Sequence, residues 1–179
     1  MKATSTVCLI ALTVFVGTSL VNADATEHRA KIDAIEQETL EVLYQAHPAA
    51  KDEMGGAYGY AVFDISQEWG NVTAGDKQGG GAGVAVHGSD RTYMKSAAAP
   101  DTELRQYQVV LLFKTREAFD DFTDGFSFGS SKKVAKEAGI DVDSGFVGGI
   151  KAYELHLGQM TEQARIANTR YHPSDKLND

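Results

Sequence analysis

Five glycines stand between Gly79 and Gly88, in the run Gly79-Gly80-Gly81-Ala82-Gly83-Val84-Ala85-Val86-His87-Gly88. Glycine weakens a strand interior unless a bend or a close approach demands it, so a strand this dense in glycine must lie where something packs tightly against it. Its flanks are Gly59-Tyr60-Ala61-Val62-Phe63 and Thr92-Tyr93-Met94-Lys95. All three runs are rich in β-branched and aromatic residues and are separated by Gly, Asn and Asp. They predict successive strands of a small central sheet joined by turns.

These three runs resemble the SYLF domain, a lipid-binding family, in its short secreted bacterial form. The similarity extends through Phe113-Lys114-Thr115, the Phe119 and Phe122 pair, Tyr153-Glu154-Leu155 and the closing Tyr171 to Asn178. It implies a non-catalytic lipid-binding domain over nearly the whole chain. The chain departs from the family pattern twice. Asp64 stands where relatives tend to carry proline, and Ser96 to Arg105, polar with Pro100 at its centre, stands where a second glycine-rich strand is expected. That segment reads as a loop replacing the strand.

Of 179 residues, 42% are apolar, which suits one domain with a sizeable core. Lys2 precedes an apolar run from Val7 to Gly17, and Val21-Asn22-Ala23 has the small residues that suit signal peptidase. Residues 1–23 therefore read as a signal peptide and 24–179 as the SYLF-like domain, exported to the periplasm or the extracellular space. No later run reaches the roughly twenty apolar residues that a spanning helix needs. Cys8, the one cysteine, leaves with the leader, so no disulfide or thiol site is expected in the mature chain. The mature chain then has 16 basic against 25 acidic residues, a net charge of −9. This opposes a nucleic-acid partner and simple electrostatic attachment to anionic lipid.

Thr26 to Tyr44 carries Ile32, Ile35, Thr39, Val42 and Leu43 at helical spacing, with Asp33, Glu36, Glu38 and Glu41 on the opposite, outward face. A short second helix through Met54 follows His47-Pro48, and Gly55-Gly56 releases the chain into the first strand. Tyr107 to Phe113 predicts a central strand. Thr115 suits the cap of a helix bearing Phe119 and Phe122 and ending near Gly125. Phe146 to Leu157 and Ala164 to Tyr171 predict a hairpin turning near Gly158, followed by a tail from Pro173. The fold class is α+β: one domain with a bent antiparallel sheet, as a sandwich or partial barrel, and an N-terminal helix and one or two short helices packed on it.

No motif demands catalysis. Gly125-Phe126-Ser127-Phe128-Gly129 matches G-x-S-x-G, but a helical pattern precedes the serine where a strand is required. Asp141-Val142-Asp143-Ser144-Gly145 has the alternating acids of a calcium loop with its glycine one place early and Ala152 where the closing Glu belongs. The glycine run lacks the Lys-Ser or Lys-Thr of a phosphate loop, and Gly79, Gly80, Gly81 and Gly83 read as structural. Histidines 28, 47, 87, 156 and 172 show no metal-ligand spacing, so no metal or cofactor is expected. Lys132, Lys133 and Lys136, with Lys114 and Arg116, form the one basic concentration, read either as a solvated face or as contacts to a lipid head group. The expected partner is a phospholipid or membrane surface. The alternative is a structural or protein-interaction module of the cell envelope without lipid binding.

Export with cleavage after Ala23 is the first testable expectation. The intact mass of the exported protein should begin at Asp24, and a mass retaining Met1 or a lipid on Cys8 overturns it.

Overall fold

The computed structural model describes residues 17–65, 80–98, 107–127, 146, 148–156, 159–161 and 169–179; side chains are described from 24 onward, except at 98, 126, 127, 156, 159–161 and 169. In chain order the elements are α1 (Gly17–Ala46), α2 (Ala49–Gly56), β1 (Gly59–Ile65), β2 (Gly80–His87), β3 (Asp90–Ala98), β4 (Tyr107–Phe113), α3 (Arg116–Thr123), β5 (Phe126–Ser127), β6 (Ile150–His156), β7 (Gln159–Thr161), β8 (Thr169–Pro173) and α4 (Asp175–Asn178). The strands form one open sheet in the order β5-β8-β3-β2-β1-β4-β6-β7. Every pairing is antiparallel. The fold is α+β in one domain, with a single sheet rather than a sandwich of two.

Both faces of the central strands are covered. Phe63, Ile65, Val109, Leu111 and Phe113 share one face with Phe119 and Phe122 of α3. Val62, Val110 and Leu112 point the other way, toward Leu43 of α1 and Ala50 of α2. Burial on both sides explains why β4 reads as an unbroken apolar run rather than an alternating one. Its place between β1 and β6 matches the central position expected of it.

The glycines of β2 are occupied from above. Phe63 lies opposite Gly83 and Ile65 opposite Gly81. A Cβ on Gly83 would collide with the Val62 carbonyl oxygen and stand 2.5 Å from Phe63 Cδ1; one on Gly81 would strike Ser96 Oγ and stand 2.7 Å from Ile65 Cδ1. Phe63 of β1 and Tyr171 of β8 are separated by β2 and β3, which at ordinary strand spacing is about 14 Å. Their ring centroids are nevertheless 4.6 Å apart. The rings lean toward each other over Gly81 and Gly83 of β2 and the small Ser96 of β3, and Phe122 closes the group at 5.1 Å from Tyr171.

Helix α1 begins at Gly17, upstream of the expected cleavage point, and its described side chains start at Asp24. Its buried stripe is Ala25, Ile32, Glu36, Thr39 and Leu43. Glu36 is only 4% exposed and faces the sheet, which corrects the expected outward acidic face; Glu38 and Glu41 are exposed. Thr39 offsets its burial by donating its hydroxyl to the Ile35 carbonyl, 2.7 Å away. In α3, the Thr115 hydroxyl accepts from the Ala118 amide and Phe119 and Phe122 are the buried residues. Gly125 follows in the left-handed region at φ 116.

Three connections differ from the sequence expectation. Ser96 to Ala98 continue β3, because Ser96 and Ala97 are small enough to pair with Gly81 and Gly80. The rest of that expected loop, 99–106, lies outside the described residues. The turn expected near Gly158 stands between β6 and β7, which pair antiparallel, but the described end of the last apolar run, in β8, pairs with β3 instead, where Tyr171 reaches Phe63. The final residues are docked rather than a tail. Asn178 stands in for a strand neighbour of Tyr93, its Nδ2 donating to the Tyr93 carbonyl at 2.8 Å and its Oδ1 accepting from the Tyr93 amide at 2.9 Å. Leu177 fills the space beside Ala25 and Ile32.

Gly83→Ala should lower the stability of the chain by about 1–3 kcal/mol in denaturant melts, as overpacking against backbone does. Gly55, in α2, faces open space, so Gly55→Ala should be neutral or stabilising by up to about 1 kcal/mol. An unchanged midpoint for Gly83→Ala shows that β2 is not closely packed.

Candidate functional site

The site is at the end of the sheet where β4 finishes and β6 begins. The Lys114 amide donates to the Gly149 carbonyl at 2.8 Å, and the register that follows sets Leu112 opposite Lys151 and Val110 opposite Tyr153. Lys151 and Tyr153 therefore lie on the α2 side of the sheet, and Tyr153 packs with Leu43, Val62 and Leu112. Lys151 is 7% exposed. A buried ammonium is costly unless it is paired. The partner is Glu53 of α2: Lys151 Nζ donates to its two oxygens at 2.9 and 2.8 Å, and Tyr153 Oη donates to one of them at 2.6 Å. Lys151 Nζ is also 5.1 Å from the Tyr153 ring centroid, and the His47 ring is 5.8 Å from that of Tyr153.

Burial alone would raise the Glu53 pKa, but the bonds from Lys151 and Tyr153 outweigh it and hold the carboxyl below its ordinary value. For Lys151, burial favours the neutral amine, and the bond to Glu53 reverses this and keeps it firmly protonated. The phenol of Tyr153 is pushed up by burial and by its bond to Glu53. The clasp is thus a fully ionised pair with a neutral phenol.

A second cation stands at the rim. Lys114 Nζ lies 5.9 Å from the centroid of Phe146, whose ring packs on the apolar group beneath α2. Of the basic residues singled out in the sequence, Lys114 joins this site. Arg116 does not: it is bound to Asp120 on the exposed side of α3, at 3.0 Å. Lys132, Lys133 and Lys136 lie outside the described residues, as do Gly79 and residues 141–145. Gly80, Gly81 and Gly83 belong to β2, where the atoms that a Cβ on Gly81 or Gly83 would meet are those of β1 and β3. Ser127 lies in β5, which follows α3, and its backbone pairs with Arg170 of β8.

His87 stacks on Tyr58 at 4.0 Å, its Nδ1 2.5 Å from the Tyr58 carbonyl oxygen. Among the described residues no group of three or more His, Cys, Asp or Glu is arranged to hold a metal.

A second polar group ties α1 to the sheet. Tyr60 donates to Glu36 at 2.6 Å, Arg91 binds both Glu36 and Asp33, the latter at 2.7 Å, and Tyr93 donates to Asp33 at 3.1 Å. Burial and the bond to Glu36 both push the Tyr60 phenol up.

The sequence reading passed over Lys151 and Glu53, which stand 98 residues apart. One signal was available: Lys151 is in phase with Tyr153 and Leu155, so strand alternation places it among core positions.

This chain is similar to beta cell expansion factor A of Aeromonas veronii. The identity is 30% over 152 residues, covering 82% of this chain and 58% of that protein. The chain thus spans little more than half the length of the curated relative it matches. No protein-family model matches it.

Removing the two sides of the clasp should have unequal effects. Glu53→Ala leaves a buried ammonium unpaired and should cost about 2–4 kcal/mol, discounted from a fully buried pair because the Glu53 side chain is 33% exposed. Lys151→Met leaves a carboxylate that water reaches and should cost about 1 kcal/mol or less. The Glu53 pKa is lowered by folding, so its contribution is present above the ordinary value near 4.3 and is lost as pH falls through the folded value. The stability gap between the natural chain and Glu53→Gln should accordingly close below about pH 4. Equal losses for Glu53→Ala and Lys151→Met, or a pH-independent gap, contradict this account.

Proposed function

We propose that the chain is a non-catalytic lipid or membrane-surface binder of the SYLF kind, acting as an exported protein. The observation that carries this reading is the Lys114 ammonium over Phe146, at the margin of the apolar group beneath α2. An aliphatic stem and an aromatic ring side by side, with the charge at the rim, suit a boundary between acyl chains and head groups. The resemblance supports the same reading. The described residues of its runs, 59–63, 80–86 and 92–95, fall in β1, β2 and β3, which are neighbours, and Phe113-Lys114-Thr115 and Tyr153-Glu154-Leu155 lie at and next to β4 and in β6 of the same sheet.

Affinity comes from apolar burial, with lysines orienting the head group. Among the described residues no helix is long and apolar enough to cross a membrane. The expected net charge of −9 denies the mature chain long-range attraction to acidic lipid.

The test is co-sedimentation of the exported chain with phosphatidylcholine vesicles and with vesicles containing phosphatidylserine, at low and high salt. Retention should depend little on salt. Each lysine near an anionic surface contributes at most about 1 kcal/mol, so Lys114→Glu and the Lys132→Glu, Lys133→Glu, Lys136→Glu triple variant should each weaken binding to the acidic vesicles. Steep release by salt overturns apolar burial as the main term. A chain that stays in solution with every vesicle favours the envelope interaction module instead.

A further inference from the structure

Lys151 is an expensive way to hold α2 on the sheet. An apolar residue in its place would pack on Leu112 and Tyr153 without desolvating an ammonium, and such replacements of buried ion pairs are often neutral or stabilising. What the pair provides that an apolar contact does not is a defined receptor for an oxyanion. Lys151 Nζ reaches both oxygens of the Glu53 carboxylate and Tyr153 Oη reaches one, all within 2.9 Å. Burial is graded so that the donors lie inside and the acceptor outside: the Lys151 side chain is 9% exposed and that of Glu53 33%.

The helix that delivers Glu53 is lightly built. It has eight residues, one of them fully buried, and Pro48 before it provides no side-chain cap. It ends at Gly55-Gly56, whose positions face open space. Short helices with one buried residue open locally at low cost.

We propose that Lys151 and Tyr153 form an oxyanion site that Glu53 occupies from within the chain, and that the phosphate of a lipid head group displaces Glu53 and releases α2. A phosphate offers the same two donors two or more oxygens and at least as much charge as a carboxylate, so the exchange keeps Lys151 paired throughout. Lys114, at the rim of the same apolar group, meets the incoming head group first. With α2 released, Ala50 no longer covers its part of the group formed by Val62, Val110 and Leu112, and that part opens to the acyl region while Leu43 of α1 keeps the remainder covered. The lipid source of the oxyanion rests on the function proposed above; the oxyanion site does not.

Four full-length proteins test it: the natural chain, Glu53→Gln, Lys151→Met and the double variant. Each is measured for retention on phosphatidylcholine vesicles with and without phosphatidic acid. Hydrogen exchange of residues 49–56 is followed with vesicles and with inorganic phosphate against chloride at equal ionic strength. Removing the internal competitor should raise retention of Glu53→Gln on phosphatidic acid vesicles by about fivefold or more. The gain should vanish in the double variant, and the vesicles should speed exchange in 49–56 of the natural chain while β1 and β4 stay protected. Tyr153→Phe, which keeps the ring and loses one donor, should reduce the gain in part. The proposal is overturned if Glu53→Gln, with its sheet amides protected as in the natural chain, gains nothing for either vesicle or inorganic phosphate, or if the gain survives Lys151→Met. Retention of the natural chain with no gain in Glu53→Gln rejects the oxyanion site and keeps the lipid function. Lys151-dependent opening by inorganic phosphate, with no variant retained on vesicles, keeps the site and rejects lipid as its source.

Discussion

The meeting of Phe63 and Tyr171 over the glycines of β2 is the constraint on which the rest of the sheet depends. Two rings from strands three places apart can touch only if the strands between them leave the path between the rings clear of bulky side chains. Gly81 and Gly83 supply this on β2, and Ser96 is small enough to supply it on β3. Once the rings meet, β8 must lie beside β3, and the chain must cross the sheet to bring it there. Phe122 packs on both rings, which fixes α3 over the same spot. An aromatic group of this kind contributes through area and ring geometry together, so its members are not interchangeable with aliphatic residues of similar volume.

The opposite face is organised differently. There α1 combines an apolar stripe, and α2 the single buried Ala50, with a carboxylate turned inward, Glu36 in one and Glu53 in the other, and each carboxylate meets a cation and a tyrosine from the sheet. Apolar burial gives these helices their affinity for the sheet, and the directional bonds give them one register on it. Position along a helix axis is otherwise poorly defined by a stripe of aliphatic residues against a surface of small ones. The carboxylates define it.

Local features of this design were legible in the sequence. Thr115 as a cap, Phe119 and Phe122 as a buried pair, and Tyr107 to Phe113 as a central strand all follow from a few neighbouring residues, and the structure agrees with each. The demand for close packing at the glycine strand was legible too, although not that Tyr171 would help satisfy it. What escaped was decided at long range or ran against polarity. Glu36 falls on the stripe of Ile32, Thr39 and Leu43 by spacing alone, but its charge argued for the outer face, and only Arg91 and Tyr60, distant in sequence, make its burial tolerable. The docking of Asn178 on Tyr93 rests on an amide imitating a peptide group, which leaves no trace in hydrophobic periodicity. The site suffered most, because Lys114 was legible as a cation and Glu53 with Lys151 was not legible as a pair.

The two inward carboxylates are alike in chemistry and unlike in permanence. Glu36 is sealed beneath a long helix whose buried stripe runs from Ala25 to Leu43, with Asp33 one turn earlier sharing Arg91. Undoing that clasp means lifting Ile32 and Leu43 of α1 off the sheet as well, so the polar and apolar terms fail together. Glu53 sits on an eight-residue helix bounded by proline and glycine, and water already reaches a third of its side chain. There the polar term can fail first, and most of what lies beneath remains tied to α1 and the sheet. A fold that uses one device twice, once where it is locked and once where it is exposed, concentrates its least costly opening at α2. That opening lies directly over Lys151.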